Sequence, residues 1–535
     1  MGICRDGTVY IIGSGLSSIA AAAALADRGV QPTILDVGLR PEAWASTLKR
    51  YLCTVEPEDW KREQISRLQF TGPTSANGIP RKLYFGSDFS FHQIRNAVPL
   101  DLQQASMYRS FAAGGFSNVW GAVVQPLPES EITGWPITWS EFAPHYAAVR
   151  RIVFDLPSTG SSQSPPDGEP DGQGINPSSQ AQSLYSDLAA GREVLARQGI
   201  RFQYASLAIR SADRNGDKGC RYCGLCLYGC PYDCRYSATI TLNRLIDEEK
   251  VRYVRGMVAE KLSHENGLVK LEVRSLAGGP PVVLSARRVL VGAGLLETTR
   301  IILASLGLYD TPLYVSHSDI FTLPVVRYRS AKSVFSERLH TLCQLVVEVE
   351  AADVSEHPVH LQFYGYNDLY LSLLRQKLGP LATLLNPALK GLASRLFLVF
   401  GYLHSSVSSS LRLTLRGNGY QKLFVEGLPN PKAGKTCQAI AHKILQYRKY
   451  FRAIPIPFQV NLDLPGGGYH SGGSFPMQSQ PEMLQTDRLG RLASLPGVHL
   501  IDASVLPAVP SGTTAFTVMA NAHRVASEID LLHGL

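Results

Sequence analysis

The side chains best suited to chemistry in this chain fall in a few tight groups, and the densest is a run of cysteines. CRYCGLCLYGCPYDC, from Cys220 to Cys234, holds five of the nine cysteines. Cys220, Cys223, Cys226 and Cys230 follow C-x2-C-x2-C-x3-C-P, the spacing at which neighbouring thiolates hold an iron–sulfur cluster. Cys230 or Cys234 either completes a four-iron cluster (4Fe-4S) or is left out of a three-iron one (3Fe-4S). A tetrahedral zinc held by four thiolates meets the same spacing. Cys4, Cys53, Cys343 and Cys437 are scattered, so the pattern is that of clustered ligands and not of a secreted disulfide framework.

The second group is TVYIIGSGLSSIAAAAALADRGVQPTILDV, Thr8 to Val37. It reads as strand, glycine turn, helix and second strand ending in an acid. Gly13 and Gly15 permit the turn and the close approach of a pyrophosphate, and the helix behind them offers its first amides to that anion. Ser18 stands where the third glycine of G-x-G-x-x-G is usual, and is still small enough for close helix–strand packing. Asp36 lies at about the distance, roughly 20 residues on, at which a carboxylate accepts hydrogen bonds from an adenosine ribose. A dinucleotide site is expected here.

The elements that position these groups follow from the patterning. A chain of 535 residues, 45% hydrophobic and 18% charged, is large enough for two or three packed units. A net charge of +8, without a dense Lys/Arg block, excludes nucleic acid as the expected partner. The chain enters its first strand almost at once and shows no cleavable leader, so a cytoplasmic location is expected. Residues Arg40 to Asp101 read as an excursion over the nucleotide unit. FAAGGFSNVWGA follows, in which Gly114 and Gly115 let backbone approach a flat ligand while Ser117, Asn118 and Trp120 supply polar and aromatic contacts. Ser140 is the expected N-cap of the helix in GWPITWSEFAPHYAAVRRIV.

Three motifs in this order resemble the glucose-methanol-choline family of flavin-dependent oxidoreductases: the G-x-G-x-x-S start, the GG-x-S flavin loop and the WPI helix entry. The resemblance runs on through VRYVRGMVAEKL and ARRVLVGAGLLETTRIILASLG to the C-terminus, while the middle of the chain matches only in order and length. It implies an α/β fold, with a Rossmann-type FAD-binding domain and an antiparallel-sheet α+β substrate domain. FAD is the implied cofactor, held by Gly13, Gly15, Ser18, Asp36, Gly114, Gly115, Ser117, Trp120 and Val258. In GVHLIDASVLPAVPSGTTAFTVMANAHRVASEI, the resemblance sets Asp502 and Ser504 near the ribityl and phosphate region. It also brings a helix starting near Phe516, with Thr517 in its first turn, toward the flavin pyrimidine edge.

His470, in GGGYHSGGSFPM, matches the family's H-x-x-G histidine, which handles the proton of a substrate hydroxyl. Oxidising an alcohol removes a hydride from carbon and a proton from oxygen, and a neutral imidazole with a pKa of about 6.5 suits the proton. The hydride is the flavin's. The family usually sets an Asn or second His before the last helix, whereas this chain has Thr513-Thr514-Ala515-Phe516, leaving Thr514 as the hydroxyl donor. Some sugar dehydrogenases of the family carry a three-iron cluster in a cysteine-rich insert, at a different spacing. The implied activity is an FAD-dependent dehydrogenase acting on the CH-OH group of a sugar-type or lipid-linked alcohol. Its electrons leave through the cluster to a one-electron carrier, or else return to oxygen with the cysteines structural. A redox-silent nucleotide-binding protein is the reading from another class.

The expected division is residues 1–309 with 464–535 as the FAD domain, carrying a cysteine-rich insert at 218–236, and 310–463 as the substrate domain. Within the first, PSTGSSQSPPDGEPDGQGINPSSQ, 157–180, is too poor in apolar residues to order itself and is expected as a mobile surface loop. LCQLVVEVEA, VHLQFYGY and LRLTLRG alternate as antiparallel strands do. The leucine-rich stretch 368–403 carries Arg375, Lys377, Lys390, Arg395 and two prolines, which rule out a spanning helix of about 20 apolar residues. It reads as an interfacial patch making peripheral membrane contact, as a lid, or as a pair of core helices.

Overall fold

The computed structural model describes residues 9–68, 82–94, 97–154, 174–214, 216–368, 375, 378–417 and 421–531. Its nucleotide half is built on five parallel strands in the order Val498–Leu500, Arg288–Val291, Val9–Ile12, Thr33–Asp36, Arg252–Arg255. The central Val9–Ile12 is buried at every position, as a strand covered on both faces must be. The helices Leu16–Asp27 and Thr514–Glu528 pack together over this sheet. Small residues, Ala20 to Ala24 on one and Ala520, Ala522 and Ala526 on the other, are buried where they meet. Arg28 closes the pair, donating to the carbonyls of Ala526 at 2.7 Å and Ile529 at 3.0 Å, a cation placed on the carbonyl end of a helix.

The substrate half is a larger antiparallel sheet. Its path runs Ala453–Pro455, Ile320–Arg327, Leu396–Tyr402, Val359–Tyr364, Leu345–Val349, Ile200–Tyr204, with Asn461–Leu462 beside Ile320–Arg327. The strands expected in LCQLVVEVEA and VHLQFYGY are present, and Val359–Tyr364 is buried throughout. A further five-stranded sheet contains Ser410–Arg416, the strand of LRLTLRG, together with Pro312–His317 and Lys422–Leu428. Leu313, Leu411, Leu413 and Val425 join the core of the nucleotide half. These strands therefore support the FAD side, although the proposed division gives them to the substrate side.

Other boundaries need correction. Ile200–Tyr204 pairs with Leu345–Val349, and the helix Ser179–Ala189 packs its Leu184 and Leu188 into the substrate core. This stretch, which the expected division gives to the FAD domain, thus packs with the substrate sheet. Of the expected loop 157–180, residues 157–173 lie outside the described residues, and Ser179 and Gln180 are already helical, capped by Ser178. The helix Trp139–Phe154 is capped by Thr138 and not Ser140. Glu141 Oε2 accepts from Thr138 N at 2.8 Å, and Thr138 Oγ1 accepts from Glu141 N at 3.3 Å, a capping box spelled T-x-x-E in the sequence.

The leucine-rich stretch divides. Residues 369–374, 376 and 377 lie outside the described ones. The short helices Leu381–Leu384 and Asn386–Ala393 bury Leu389 and Ala393 against Val334 and Tyr366. Leu381, Leu385 and Leu392 remain exposed. The last third is the strand Leu396–Tyr402, in the middle of the large sheet, so the stretch is not a pair of core helices throughout. Among the described residues no helix is long and apolar enough to cross a membrane.

Candidate active site

The site starts at the turn after Val9–Ile12. Gly13 has φ +90°, and a side chain there would meet the Gly292 carbonyl oxygen at 2.6 Å, so the position admits only glycine. Ser18, buried one turn into the helix, donates to that same carbonyl at 3.2 Å, the close helix–strand packing expected of it. Gly15 caps the helix without a side-chain bond, which leaves the first amides available to an anion.

Ser14, between the two glycines, was not singled out by spacing, yet it gathers the motifs. Its hydroxyl donates to Asp36 Oδ2 and accepts from the Gly114 amide at 2.9 Å. Tyr253 donates to the same Asp36 oxygen at 3.0 Å. Burial outweighs these bonds and pushes the Asp36 carboxyl up to about 6, a desolvation cost that further hydrogen-bond donors at the site would offset. The second glycine loop lies against the first. A side chain on Gly114 would collide with Thr239 at 2.7 Å, and one on Gly115 would reach the Gly15 backbone at 3.6 Å. Ser117 fixes this loop, donating to Gly114 O at 2.5 Å and accepting from Ala238 N at 2.9 Å.

One cavity of about 730 Å³ runs from Gly13, Gly15 and Asp36 past Gly115, Ser117, Trp120 and Val258 to Asp502, Thr514 and His470. Its size is that of a cofactor or ligand pocket. Trp120 presents its ring only, since its Nε1 donates to Tyr236 O at 2.8 Å. Asp502 accepts from Gly294 N at 2.9 Å, Thr298 Oγ1 at 2.5 Å and Ser504 N at 3.0 Å. It thus fixes the start of the helix Leu295–Ser305 at the cavity wall. The last helix starts at Thr514, earlier than the expected Phe516, with no side-chain cap from Thr513. Thr513, Thr514 and Ala515 bring its amide end to the cavity.

Four expected cofactor contacts are not among the cavity-lining residues. Ser18 is turned to the Gly292 carbonyl. Thr517 is bonded to the Tyr146 hydroxyl at 2.7 Å and so ties two helices together. Ser504 is fully buried beneath Asp502. Gly114 acts through close packing and its amide. In each case the residue is one helical or turn position away from a neighbour that does line the cavity: Val518, Ala503, Gly115 and, for Ser18, Ser17.

His470 follows Tyr469, which stands at φ +60° and stacks on Tyr108 with ring centres 5.4 Å apart. The His470 carbonyl accepts from Ser318 N at 2.8 Å, and its Nδ1 is buried without a hydrogen-bond partner. Burial, with His360 adding to it, pushes this imidazole down to about 4, so it is neutral at pH 7 and able to accept a proton. Thr513 Oγ1 is likewise buried without a partner. Opposite stand the sheet residues Gln362, Tyr364, Phe400 and Tyr402. Gln362 is held by Tyr364 OH at 3.0 Å and by His360 at 3.1 Å, and His360 meets Glu348 at 2.5 Å. Alternation along the strands could have found these, but polar side chains facing a cavity and facing a core have the same period.

The cavity has further polar walls that no motif announced. Glu297 pairs with Arg109 and with Arg300, each at 2.8 Å, and the two cations hold its carboxyl below the usual range despite burial. Lys82 lines the wall near Gly121 and is pushed down to about 8 by burial, with Arg235 reinforcing the shift.

The cysteine group takes in Cys234 as well. Cys230 Sγ lies 3.2 Å from Cys234 Sγ. Cys234, expected as the alternate ligand, is thus in direct contact with an expected one. Thiolates on one zinc, bound at about 2.3 Å, sit about 3.8 Å apart. Among the described residues only Glu131, His357 and His404 gather three metal-type donors within 4.8 Å of one another. The expected iron–sulfur ligand set Cys220, Cys223, Cys226 and Cys230 gains no support from this packing.

No protein-family model and no curated protein sequence matches the chain. Solved structures do match its fold. Pyridoxine 4-oxidase from Mesorbium loti superposes with a TM-score of 0.57 at 14% identity, over 97% of this chain and 98% of that one. A formate oxidase gives 0.56 at 12% identity, over 98% of each chain. A substituted Aspergillus oryzae formate oxidase, followed for FAD modification, gives 0.56 at 13% identity, again over 98% of each. The expected fold class, a Rossmann-type domain joined to an antiparallel-sheet domain, is the one found.

Proposed function

We propose that the chain is a glucose-methanol-choline type, FAD-dependent oxidoreductase that converts a CH-OH group to a carbonyl. The observation that carries this reading is the single cavity joining the Gly13–Gly15 turn and Asp36 to His470. FAD, when bound, supplies the hydride acceptor. The chain's own residues do the rest. The Gly15 and Thr514 helix ends face bound negative charge, Asp36 offers its carboxylate to ribose hydroxyls, and His470 receives the proton of the substrate hydroxyl. Thr513 and Thr514 hold the substrate oxygen where the family usually has Asn or His. Gln362, Tyr364, Phe400 and Tyr402 make a wall of aromatic rings with one amide, suited to a small, partly apolar alcohol.

Two electron routes follow from features of the chain. Return to oxygen is favoured by the names of the oxidases that share its fold. Exit through an iron–sulfur cluster to a one-electron carrier rests on the C-x2-C-x2-C-x3-C spacing alone. Iron and acid-labile sulfide in anaerobically purified protein, measured beside hydrogen peroxide during turnover, separate the two. The exposed Leu381, Leu385 and Leu392 fit contact with a lipid surface or lipid-linked substrate. Flotation with anionic liposomes, with and without those leucines changed to Ser, tests that part. Binding of FAD to the purified chain, followed by its bleaching with an alcohol under anaerobic conditions, tests the reaction itself.

A further inference from the structure

Glu131, His357 and His404 come from three separate stretches and meet away from the cavity. Glu131 lies in the turn Glu129–Ile132, which precedes the helix entry of the nucleotide half. His357 is in the connection between the strands Leu345–Val349 and Val359–Tyr364, and His404 follows Leu396–Tyr402, both in the substrate half. Their donor atoms lie within 4.8 Å of one another. Glu131 is 6% exposed, yet both carboxylate oxygens are buried without a hydrogen-bond partner. The nearest side-chain donor, His357 Nδ1, stands 3.5 Å from Oε1.

A buried carboxylate with neither oxygen satisfied costs free energy that only a proton, a cation or new donors can offset. Two imidazoles and one carboxylate form the donor set of a zinc-class divalent ion, with water as fourth ligand. The surroundings suit such an ion. His404 Nδ1 faces Ser406, with Oγ at 2.8 Å and the backbone N at 3.1 Å. Because Ser406 N donates to Nδ1, Nε2 carries the ring proton at rest, and ligation through Nε2 needs that proton to move to Nδ1, where Ser406 Oγ can accept it. The His357 side chain is 36% exposed, which supplies an entry path. The His357 and His404 rings are stacked, 3.6 Å apart and 14° from parallel. Joint ligation therefore needs the exposed His357 ring to swing off the stack, drawing the donors in to about 3.3 Å, the edge of a tetrahedron at about 2.05 Å.

We infer that Glu131, His357 and His404 form a divalent-metal site of the zinc class that clasps the nucleotide half to the substrate half. The clasp adjoins the last helix's approach. Ser405 N donates to Val509 O at 2.9 Å, and Val509 N donates to Ser405 Oγ at 3.1 Å. Residues 509–513 then lead directly to Thr513 and Thr514 at the cavity. A metal here holds structure and takes no part in hydride or proton transfer, so the inference stands apart from the proposed reaction.

The test uses the full chain, stripped with chelator and then titrated with zinc against a colorimetric zinc dye. Wild type should take up one equivalent more than His357→Ala, whose exposed position keeps folding intact. Zinc should also raise the wild-type thermal midpoint by several degrees more than that of the variant. Because the cysteines are a rival zinc site, X-ray absorption of protein loaded with one equivalent decides the donors. Nitrogen and oxygen at about 2.0–2.1 Å support the clasp, and a sulfur shell at about 2.3 Å overturns it. Equal zinc uptake by wild type and His357→Ala also overturns it. Glu131→Gln gives a second reading, with loss of the same equivalent expected.

Discussion

The ring of Tyr402 lies stacked on that of His470, centres 4.9 Å apart and planes 23° from parallel. The tyrosine comes from a central strand of the substrate sheet and the histidine from the loop returning to the nucleotide half. The stack therefore ties the aim of the imidazole to the packing of the other domain. A contact of this kind contributes ~0.5–1.5 kcal/mol. Tyr402→Ala should lower kcat by up to about 10-fold, while Tyr402→Phe, which keeps the ring, should stay near wild type. Steady-state kinetics on both variants measures this, and equal losses would mean that the hydroxyl matters and not the stack.

His470→Ala should retain FAD and its fold but slow flavin reduction by about 10²-fold or more, the usual contribution of a placed acid–base group. The pH profile of wild type carries the same information. Burial pushes His470 down to about 4, so the neutral, proton-accepting form persists well below pH 6. Flavin reduction by substrate should stay level from pH 8 to about 5, then fall as pH drops through about 4. Stopped-flow reduction across that range checks it. A limb near pH 6.5 would point to an imidazole in water or to another base.

Asp36→Ala should weaken FAD binding with little effect on the substrate half. The carboxylate is held by Ser14 and Tyr253 on one oxygen, which orients it without occupying it fully. Gel filtration followed by flavin quantitation should find protein largely stripped of cofactor, and adding free FAD in excess should restore the rate. If FAD stays bound at the wild-type level, the ribose is held elsewhere.

Much of the nucleotide half was legible because its rules are local. Gly13, Gly15, Ser18 and Asp36 are fixed by backbone geometry over a few residues, and the turn, the close helix–strand packing and the acid at the strand end stand where spacing implies. Thr517 and Ser504 were misplaced by one position, because the resemblance fixes a helix and a turn but not which of their faces meets the cavity. Ser14 and the Glu297–Arg300 pair lie inside stretches already read, but a short polar residue or an i,i+3 ion pair has no signature there. The distant partners, Gly114 for Ser14 and Arg109 for Glu297, lie in no common window. The cysteines are the opposite case. Their spacing is local and suggestive, but it does not single out Cys234, which the fold sets against Cys230.

His499, remote from the cavity, gives a test of burial alone. Its Nδ1–H donates to Leu489 O at 2.9 Å, and burial pushes it down to about 4. The unfolded chain titrates near about 6.5, so protons bind the unfolded state first as pH falls through that window and the native state loses stability there. The loss is on the order of 2–3 kcal/mol by pH 4. His499→Gln removes this term. Its thermal midpoint relative to wild type should therefore improve between pH 7 and 4.5, and a constant difference would show that the imidazole is not held neutral.

The central claim is that one cavity brings a flavin and His470 to the same alcohol. Anaerobic mixing of the FAD-loaded chain with a panel of primary alcohols, polyols and sugars, followed by flavin absorbance, addresses it directly. The account predicts bleaching by at least one such alcohol in wild type, slowed by about 10²-fold or more in His470→Ala. A chain that takes up no FAD, or a His470→Ala variant that is bleached as fast as wild type, would contradict it.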